Sequence, residues 1–454
     1  MIDLKEFQGF NSWSRPAPSD RAFYSQHLDQ YLEEVAPKIP DQNLRNLFIN
    51  AFSNTLDTTA YYEEVDNEPV SYIITGDIEA MWLRDSTAQI WHYLPLLKRA
   101  PEIQRLIAGL IRRQAQCILK DPYANAFYDK NKSGIHAGDL TEMKPGIHER
   151  KWELDSLCFH LRLTIAYWDL THDKIVFDQT WRESLSLILQ TVVVQQRKSD
   201  HGPYFFDRVT ENSIDTLSNK GHGPLYAPTG MIASSFRPSD DACQLPFNIP
   251  ANLFARKVLS DIQRVLIELD MDDFDELIDC LVLDISKGLA GFATVDHDTF
   301  GTIYAYEVDG LGHSVLMDDA NVPNLLSLPH LEAADQNNSI YRTTRSFVLS
   351  SKNPYFYRGI SGSGIGSTHT GNNQIWPISL IIQALTSESD EEIRECLRLL
   401  ITSSAGTGLL HESFDADDPR KYSRPWFAWC NSIFGVLIHQ LLAERPSLIS
   451  QWRS

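Results

Sequence analysis

The chain has 454 residues, 43% of them hydrophobic and 22% charged, which is enough apolar material to bury a sizeable core. Its formal net charge of −20 at pH 7 would repel a nucleic-acid backbone, and no basic cluster interrupts the sequence. We therefore exclude nucleic acid as a partner and expect a neutral ligand.

No run of about 18 apolar residues occurs, so we predict no membrane-spanning helix and no membrane partner. The stretch Met1–Gln8 lacks a basic region followed by an apolar segment, so we also predict no signal peptide. Six cysteines are scattered without close pairs, which is typical of buried thiols in a reducing compartment rather than of disulfides or a zinc site. These features predict a cytoplasmic protein.

Apolar residues recur at helical spacing along the chain, in segments separated by long polar and aromatic loops. They predict a helix pair between Asp20 and Leu56, and Pro101 suits the first turn of a helix within Leu94–Lys120. The connection Pro203–Pro238 is longer than the usual loop of a compact domain, so we predict that it forms part of a pocket wall. The other predicted helices are one ending near Leu170, one over Lys174–Gln196, one over Ala251–Leu269, one over Asp273–Leu289, two within Ile375–Ser404 and a last one beginning near Pro425.

A polar loop followed by a pair of helices is thus repeated about six times, with few strand signals, which predicts an all-α fold. A closed ring of alternating inner and outer helices explains this order, because each pair buries one face on its neighbours and the loops gather at one end. An open helical solenoid and two separate helical domains are the alternative architectures.

Tryptophans lie beside carboxylates and amides in several of the loops, as Trp82 does near Asp85 and Trp376 near Asn373. A sugar ring offers hydroxyls to polar side chains and an apolar C–H face to an indole ring, so this mixture predicts a carbohydrate ligand. The alternative is that the tryptophans pack the core while the acids cap helices.

Motifs for other chemistry are weaker. The segment Gly359–Gly366 superficially resembles a nucleotide loop, but no Lys-Ser or Lys-Thr follows it. Met317–Asn321 lacks the spacing of a calcium loop, so a helix cap or a sugar contact is favoured there. No His-Glu-x-x-His motif and no nucleophile-elbow serine is present in the sequence. We predict neither a metal nor a cofactor.

Hydrolysis of a glycosidic bond needs one carboxylic acid to protonate the leaving oxygen and a second carboxylate to activate water or to attack carbon. Asp240 and Asp241 lie between an Arg-Pro turn and a helix start, and Glu412 lies in a distant loop. Neighbouring aspartates repel each other, which favours keeping one of them protonated, although Arg237 opposes this if it pairs with one. The alternative is that all three acids are capping or surface residues.

Five segments, spread in order over almost the whole chain, together resemble glycoside hydrolase family 125, the exo-α-1,6-mannosidases of bacteria and fungi. They are Gly76–Ser86, Arg237–Ala242, Val308–His313, Asp318–Asn321 and His411–Phe414. The resemblance implies one catalytic domain over residues 1–454, an (α/α)6 barrel with long loops that build the active site at one end. It also implies an inverting, metal-independent enzyme that releases terminal mannose from α-1,6-linked oligosaccharides or N-glycan fragments.

The resemblance further implies roles for single residues. An aspartate of Arg-Pro-Ser-Asp-Asp would be the general acid and the glutamate of His-Glu-Ser-Phe the general base, which we carry to Asp240 and Glu412. Asp241 stays open as the alternative acid. The inverting mechanism predicts that the two carboxyl groups are about 6.5–9.5 Å apart, with room for water. The residues expected to bind substrate are Trp82, Arg84, Asp85, Arg237, Asp241, His369, Asn372 and Trp426.

Two other functions stay open at this point. One is an inverting helical-barrel glycosidase for α-glucosides, which differ from mannosides in the hydroxyl at C2. The other is a carbohydrate-binding protein without turnover, against which the paired aspartates and the distant glutamate argue.

Overall fold

The computed structural model describes residues 13–453, so the prediction of no signal peptide in Met1–Gln8 lies outside the described residues. Helices dominate this part of the chain, and the all-α class is confirmed. The helices are α1 (Gln26–Val35), α2 (Gln42–Thr58), α3 (Leu83–Ile90), α4 (Pro101–Lys120), α5 (Leu154–Thr171), α6 (Gln179–Gln195), α7 (Ser218–Gly221), α8 (Ile249–Glu268), α9 (Asp275–Phe292), α10 (Ser339–Val348), α11 (Pro377–Leu385), α12 (Asp390–Ser403), α13 (Ala428–Glu444) and α14 (Pro446–Ser450).

Helix starts follow the local sequence signals. The side chain of Asp41 accepts a hydrogen bond from the backbone N–H of Leu44 and so caps α2, and Asn248 caps α8 in the same way through Ala251. Pro101 is the first residue of α4, as predicted. Helix α10 was not predicted; the side chain of Asn338 caps it by accepting the backbone N–H groups of Ile340 and Tyr341.

Contacts group the chain into two compact units, each made of more than one segment. The first unit consists of the described residues up to Glu79, Asp85–Leu110 and the residues from Tyr355 on, and the second consists of Ala80–Arg84 and Ile111–Pro354. In the first, α13 packs against α2 and α11, and α11 against α12; in the second, α8 packs against α5 and α9. A single domain over 1–454 stays a prediction.

Short strands also occur, and most of them have only two or three residues, which is too few for an alternating pattern in the sequence. They pair into six small sheets, antiparallel throughout the described chain. The strands are β1 (Ala60–Val65), β2 (Glu68–Ile73), β3 (Met81–Trp82), β4 (Ala126–Phe127), β5 (Ile147–Glu149), β6 (Phe247–Asn248), β7 (Thr294–His297), β8 (Gly301–Tyr304), β9 (Glu307–Val308), β10 (Ser314–Val315), β11 (Phe356–Arg358), β12 (Ser363–Ile365), β13 (Gln374–Ile375), β14 (Ser413–Asp415) and β15 (Tyr422–Ser423).

Three of these sheets carry the predicted site residues. The sheet β3–β4–β5 lies next to Arg84, the sheet β10–β9–β6 contains Glu307, and the sheet β13–β14–β15 begins its middle strand directly after Glu412. Within residues 13–453, every helix is too short or too polar to cross a membrane.

Candidate active site

Asp240 lies at the tip of a tight hairpin in the second unit. Its backbone N–H donates to the carbonyl of Arg237 at 2.9 Å, and Arg237 N–H donates to the carbonyl of Asp241 at 2.8 Å. This turn holds Asp240 at φ 64°, a left-handed conformation that few residues other than glycine adopt. The side chain of Asp240 is 22% exposed, whereas Asp241 is only 4% exposed. Of the two aspartates, Asp240 is therefore the better placed to meet a substrate.

A buried ion pair supports the hairpin. The Nε of Arg237 donates to Oε1 of Glu307 at 2.6 Å, and both side chains are shielded from solvent. The second oxygen of Glu307 accepts the backbone N–H groups of Gln244 and Leu245, which follow the hairpin. Arg237 thus has a supporting contact, and its predicted contact with substrate stays a prediction.

Arg84 gathers three carboxyl groups around one buried guanidinium. Its Nη1 donates to Glu153 at 2.8 Å and to Asp155 at 3.0 Å, and its Nη2 donates to Asp240 at 3.2 Å. Glu153 directly precedes α5 and Asp155 lies in its first turn, so the start of this helix presents both acids to Arg84. These four residues, Arg84, Glu153, Asp155 and Asp240, form what we call the acid cluster.

Asn125 links the acid cluster to Glu149. Its Nδ2 lies 3.3 Å from carboxyl oxygens of Glu149, Glu153 and Asp240, while its Oδ1 accepts the backbone N–H of Lys151 at 3.1 Å. Glu149 also accepts from Arg208 at 2.8 Å. The side-chain amide therefore holds three carboxyl groups at one point.

Burial and neighbouring charges shift the pKa values of these acids in different directions. It raises the pKa of Glu153 well above the usual range, and the negative charges of Asp240 and Asp155 add to this, against the opposing charge of Arg84. Burial also raises the pKa of Asp155, again against Arg84. The pKa of Glu149 is lowered, because Lys151 and Arg208 outweigh its burial. Burial therefore favours the protonated form of Glu153, whereas the cations beside Glu149 favour its ionised form.

Aromatic and histidine side chains flank this region within the second unit. Trp82 packs edge-on against His148 at 5.0 Å between ring centroids, and the Nδ1 of His148 lies 2.8 Å from the hydroxyl of Tyr128. Burial lowers the pKa of His148 to about 4, so the ring is neutral at physiological pH. Trp82 is 6% exposed and so lies mostly within the packed interior.

Glu412 lies in the first unit, where both of its carboxyl oxygens are held. Oε2 accepts from the hydroxyl of Ser423 at 2.8 Å, and Oε1 lies 3.0 Å from Nε of Arg424. Pairing of β14 with β15 places Glu412 opposite these two residues, because Ser413 is in register with Ser423. Arg424 is itself anchored by Asp77 at 2.6 Å. The carboxylate therefore has one fixed orientation, as a general base requires.

The loop that carries Glu412 is fastened to the start of α13. The side chain of Asn431 accepts the backbone N–H of Leu410 at 2.9 Å, and Phe427 N–H donates to the carbonyl of Leu410 at 2.9 Å. The neighbouring His411 ring stacks on Tyr422, with centroids 3.6 Å apart and planes 4° apart. These contacts rigidify the loop on both sides of the glutamate.

The other predicted substrate contacts of the first unit differ in exposure. His369 and Asn372 are exposed and Trp426 is half-buried, whereas Asp85 is buried in the first turn of α3. Gly76, at φ 57°, lies against the Trp426 ring. Each of these residues stays a prediction as a substrate contact.

Two motifs singled out in the sequence have structural roles. Asp318 is fully buried and accepts the backbone N–H groups of Leu325 and Leu326, which closes a turn. The segment Gly359–Gly366 contains β12, which pairs with β11. Within residues 13–453, no group of three or more His, Cys, Asp or Glu side chains is arranged to hold a metal ion.

Sequence reasoning missed several side chains that contact the predicted catalytic acids. Glu153 and Asp155 stood in a conspicuous run of acids and aromatics before a helix, and this density was a usable signal. Asn125 and Arg424 carried no such signal, because their roles depend on partners 115 residues and 347 residues away in sequence.

A partly exposed carboxyl group in a cluster of buried acids, and a second carboxylate oriented by an arginine and a serine, are the groups of a general acid–base hydrolase. On a helix-rich fold with these acids, the class of protein is a glycoside hydrolase.

Comparison with known proteins gives the family. The family described as metal-independent alpha-mannosidase (GH125) matches residues 41–439, and the chain belongs to it. This protein is thus an α-mannosidase of glycoside hydrolase family 125.

Individual relatives agree with this assignment. A Streptococcus pneumoniae structure, from a family of metal-independent alpha mannosidases, has 42% identity and a TM-score of 0.88, and the match covers 93% of this chain and 99% of that chain. It is a non-productive substrate complex with alpha-1,6-mannobiose. The meiotically up-regulated gene 157 protein of Schizosaccharomyces pombe is 41% identical over 97% of this chain and 90% of its own length.

A more distant glycosidase structure, at 11% identity and a TM-score of 0.53, covers 88% of this chain and 97% of that chain, and shows a likeness of fold alone. The predicted (α/α)6 barrel fits the helix-rich fold that the chain shares with the Streptococcus pneumoniae structure.

Proposed function

We propose that this α-mannosidase is exo-acting, cleaves α-1,6-linked mannosides and inverts the configuration at the anomeric carbon. The observation that carries the linkage is the similarity to the Streptococcus pneumoniae protein, whose complex contains alpha-1,6-mannobiose, at 42% identity over 93% of this chain. The family of that protein is connected with the processing of N-linked glycans, which supports N-glycan fragments as substrates here.

In the proposed reaction Asp240 is the general acid and Glu412 the general base. Asp240 protonates the glycosidic oxygen as its bond to C1 breaks, and Glu412 takes a proton from the water that attacks C1 from the opposite face. An α-linked substrate then yields β-mannose. The greater exposure of Asp240 than Asp241 supports the choice of acid, and the fixed orientation of Glu412 supports the choice of base. The separation expected for the two carboxyl groups stays a prediction.

The remaining substrate contacts are proposed from the resemblance of the motifs. Arg84 and Asp85 would bind hydroxyls of the terminal mannose, and the other contacts are Trp82, Arg237, Asp241, His369, Asn372 and Trp426. A cytoplasmic location, acting on imported fragments, is proposed as well. It is supported by the scattered spacing of the six cysteines, which is typical of thiols in a reducing compartment.

The linkage and the stereochemistry can be tested with two disaccharides. We expect release of mannose from α-1,6-mannobiose and none from isomaltose, the α-1,6-linked glucose disaccharide, because glucose differs from mannose at C2. Proton NMR during the first minutes should show β-mannose before mutarotation. First appearance of α-mannose would contradict inversion, and turnover of isomaltose would contradict the sugar assignment.

The catalytic assignments can be tested with isosteric variants. We expect Asp240→Asn and Glu412→Gln each to lower kcat on α-1,6-mannobiose by about 100-fold or more, since a general acid or base contributes about 10²–10⁴-fold. Asp241→Asn is the matched control and should lose less. If azide restores turnover of Glu412→Ala and the product is β-mannosyl azide, a role for Glu412 on the face of C1 opposite the leaving group is supported. Full activity of either isosteric variant would overturn its assignment.

A further inference from the structure

The acid cluster holds more carboxyl groups than one cation can balance. Arg84 is the guanidinium that bonds Glu153, Asp155 and Asp240, and it carries a single positive charge. Lys151 and Arg208 lie close by, but they pair with Glu149 and Asp215. Three carboxylates around one arginine in a buried setting repel one another, which favours a proton on one of them.

Glu153 is the member with the closest link to Asp240. Burial of Glu153 favours its protonated form, and the negative charge of Asp240 adds to this. They also share two donors, because Arg84 and the Nδ2 of Asn125 each contact both side chains. Glu153 has no exposed side-chain surface, whereas Asp240 is 22% exposed.

From this geometry we propose that Glu153 stores the proton that Asp240 delivers to the glycosidic oxygen, so that the two carboxyl groups titrate as a pair with one proton between them. The proposal rests on the role of Asp240 as general acid. Glu153 meets no substrate in this scheme and acts as a positioning residue for the proton.

Each proton is accounted for in this scheme. The proton moves from Glu153 to Asp240, and then from Asp240 to the glycosidic oxygen, as the bond from that oxygen to C1 breaks. Both carboxyl groups are then ionised, and Arg84 and Asn125 stabilise the pair until a proton from solvent restores it. Because two adjacent carboxylates repel each other, the pair takes up this proton at a higher pH than an isolated aspartate would.

The groups around Glu153 favour proton storage there rather than on its neighbours. Arg84 faces it from the start of α3, Asp155 and Ser156 from its own helix, Asp240 from the hairpin and Asn125 from the residue before β4. Of the nearby acids beyond the pair, Glu149 is paired with Arg208 and Lys151. Burial raises the pKa of Glu153 well above its usual range, in agreement with a stored proton.

The test is the pH profile of kcat/KM on α-1,6-mannobiose for two variants with opposite expected shifts. Glu153→Gln keeps the shape but removes the second carboxyl group, so the alkaline limb should move down by about one pH unit or more. Ser156→Ala leaves Glu153 in place and removes the hydroxyl that donates to its Oε2 at 2.8 Å. Because the Ser156 hydroxyl stabilises the ionised form of Glu153, its loss should move the alkaline limb to a higher pH by about half a unit.

Asp318→Asn is the matched control, because Asp318 is another fully buried acid whose pKa is raised by burial, and its hydrogen bonds go to the backbone of Leu325 and Leu326. It should leave the limb in place, whatever its effect on stability. Because Ser156→Ala makes only a small change, it tests the proposal even if Glu153→Gln does not fold.

The outcomes separate this proposal from the function it rests on. If the wild-type enzyme does not hydrolyse α-1,6-mannobiose, or if Asp240→Asn is fully active, the proposed function fails. If the wild type and Asp240→Asn behave as expected but the alkaline limb stays in place in Ser156→Ala and in folded Glu153→Gln, the proton-storage role alone is overturned.

Discussion

Among individual residues, Arg424 is the one that fixes the orientation of the Glu412 carboxylate. Its Nε lies 3.0 Å from one carboxyl oxygen, while its Nη1 is tied to Asp77 at 2.6 Å. Ser423 holds the other oxygen at 2.8 Å. A carboxylate held at both oxygens has little freedom to turn away from an attacking water, so its donors matter for rate as much as the carboxylate does.

We expect Arg424→Lys to lower kcat about 10- to 100-fold with little change in KM, because the shorter, single-point ammonium cannot hold both Glu412 and Asp77. Steady-state kinetics on α-1,6-mannobiose checks this. Arg420→Lys is the control, since Arg420 is largely exposed and pairs with its neighbour Asp418. Equal losses in both variants would show that the contacts of Arg424 with Glu412 and Asp77 are not the cause.

Asp240 should matter only where the leaving group needs a proton. We expect Asp240→Asn to lose about 10²–10⁴-fold on α-1,6-mannobiose but far less on 2,4-dinitrophenyl α-mannoside, whose leaving phenolate is stable without protonation. Glu412→Gln should lose activity on both substrates, because water must be activated in either case. An equal loss on both substrates for Asp240→Asn would remove Asp240 from the acid role.

Sequence motifs alone singled out several residues of the candidate site. Arg84, Asp240 and Asp241 lie in or beside the acid cluster, and Glu412 has the fixed environment of a base. Glu153 was overlooked because what distinguishes it is its partners, which arrive from α3 and from the hairpin. Trp82 and Trp376 are buried, so most of the surface of each indole ring packs in the core, as the alternative interpretation of the tryptophans predicted.

The hairpin that carries Asp240 holds the proposed general acid in an unfavourable backbone conformation. Asp240 has a positive φ of 64°, which costs a residue with a Cβ about 1–2 kcal/mol compared with glycine. The rest of the hairpin holds Asp240 in this conformation despite its cost, because Phe236 pairs with Ala242 and Arg237 forms an ion pair with Glu307. The strained conformation projects the aspartate from an otherwise buried hairpin.

We therefore expect Asp240→Gly to have a higher free energy of unfolding than Asp240→Ala, by about 1 kcal/mol. Both variants remove the carboxyl group, so the difference between them isolates the backbone. Chemical denaturation measures it. At Asp241, which is not among the positive-φ residues, the order should reverse, because glycine there only adds freedom to the unfolded chain. Equal stabilities at position 240 would mean that the turn relaxes in the variants.

Helices and strands differed in how well the sequence revealed them. The periodicity of apolar residues located α8 and α9 to within a few residues, because each of these helices buries one long face. The two- and three-residue strands beside Arg84 and Glu412 gave no pattern. Those strands fix which loop residues face each other, so the contacts of the site were the part that sequence reasoning could not supply.

Buried neutral histidines affect the stability of the whole molecule. Burial lowers the pKa of His92 and of His160 to about 3 and that of His148 to about 4. In the unfolded chain each would titrate near 6.5. As the pH falls below about 6.5, the unfolded state therefore takes up protons that the folded state does not, and folding loses stability until the folded pKa is reached. The raised pKa of Glu153 acts in the opposite direction above its unfolded value.

We expect the free energy of unfolding to fall between pH 7 and pH 5, and His160→Gln to lose about 2 kcal/mol less over this range than the wild type. His160 suits the test because it is fully buried and its ring contacts the side-chain oxygen of Gln114. Urea denaturation at the two pH values gives both slopes. A variant with the wild-type slope would show that His160 becomes protonated in the folded state near pH 6.5.

The order in which the chain is synthesised bears on the first unit, which draws on both ends of the sequence. Helix α2 packs against α13, and Thr55 and Ser432 share a hydrogen bond across a separation of 377 residues. At about 5–20 residues per second, a ribosome completes α13 tens of seconds after α2. During that interval the apolar face of α2 is not yet covered by α13. A chaperone that binds such faces should therefore bind the nascent chain early and dissociate only when the last helix emerges.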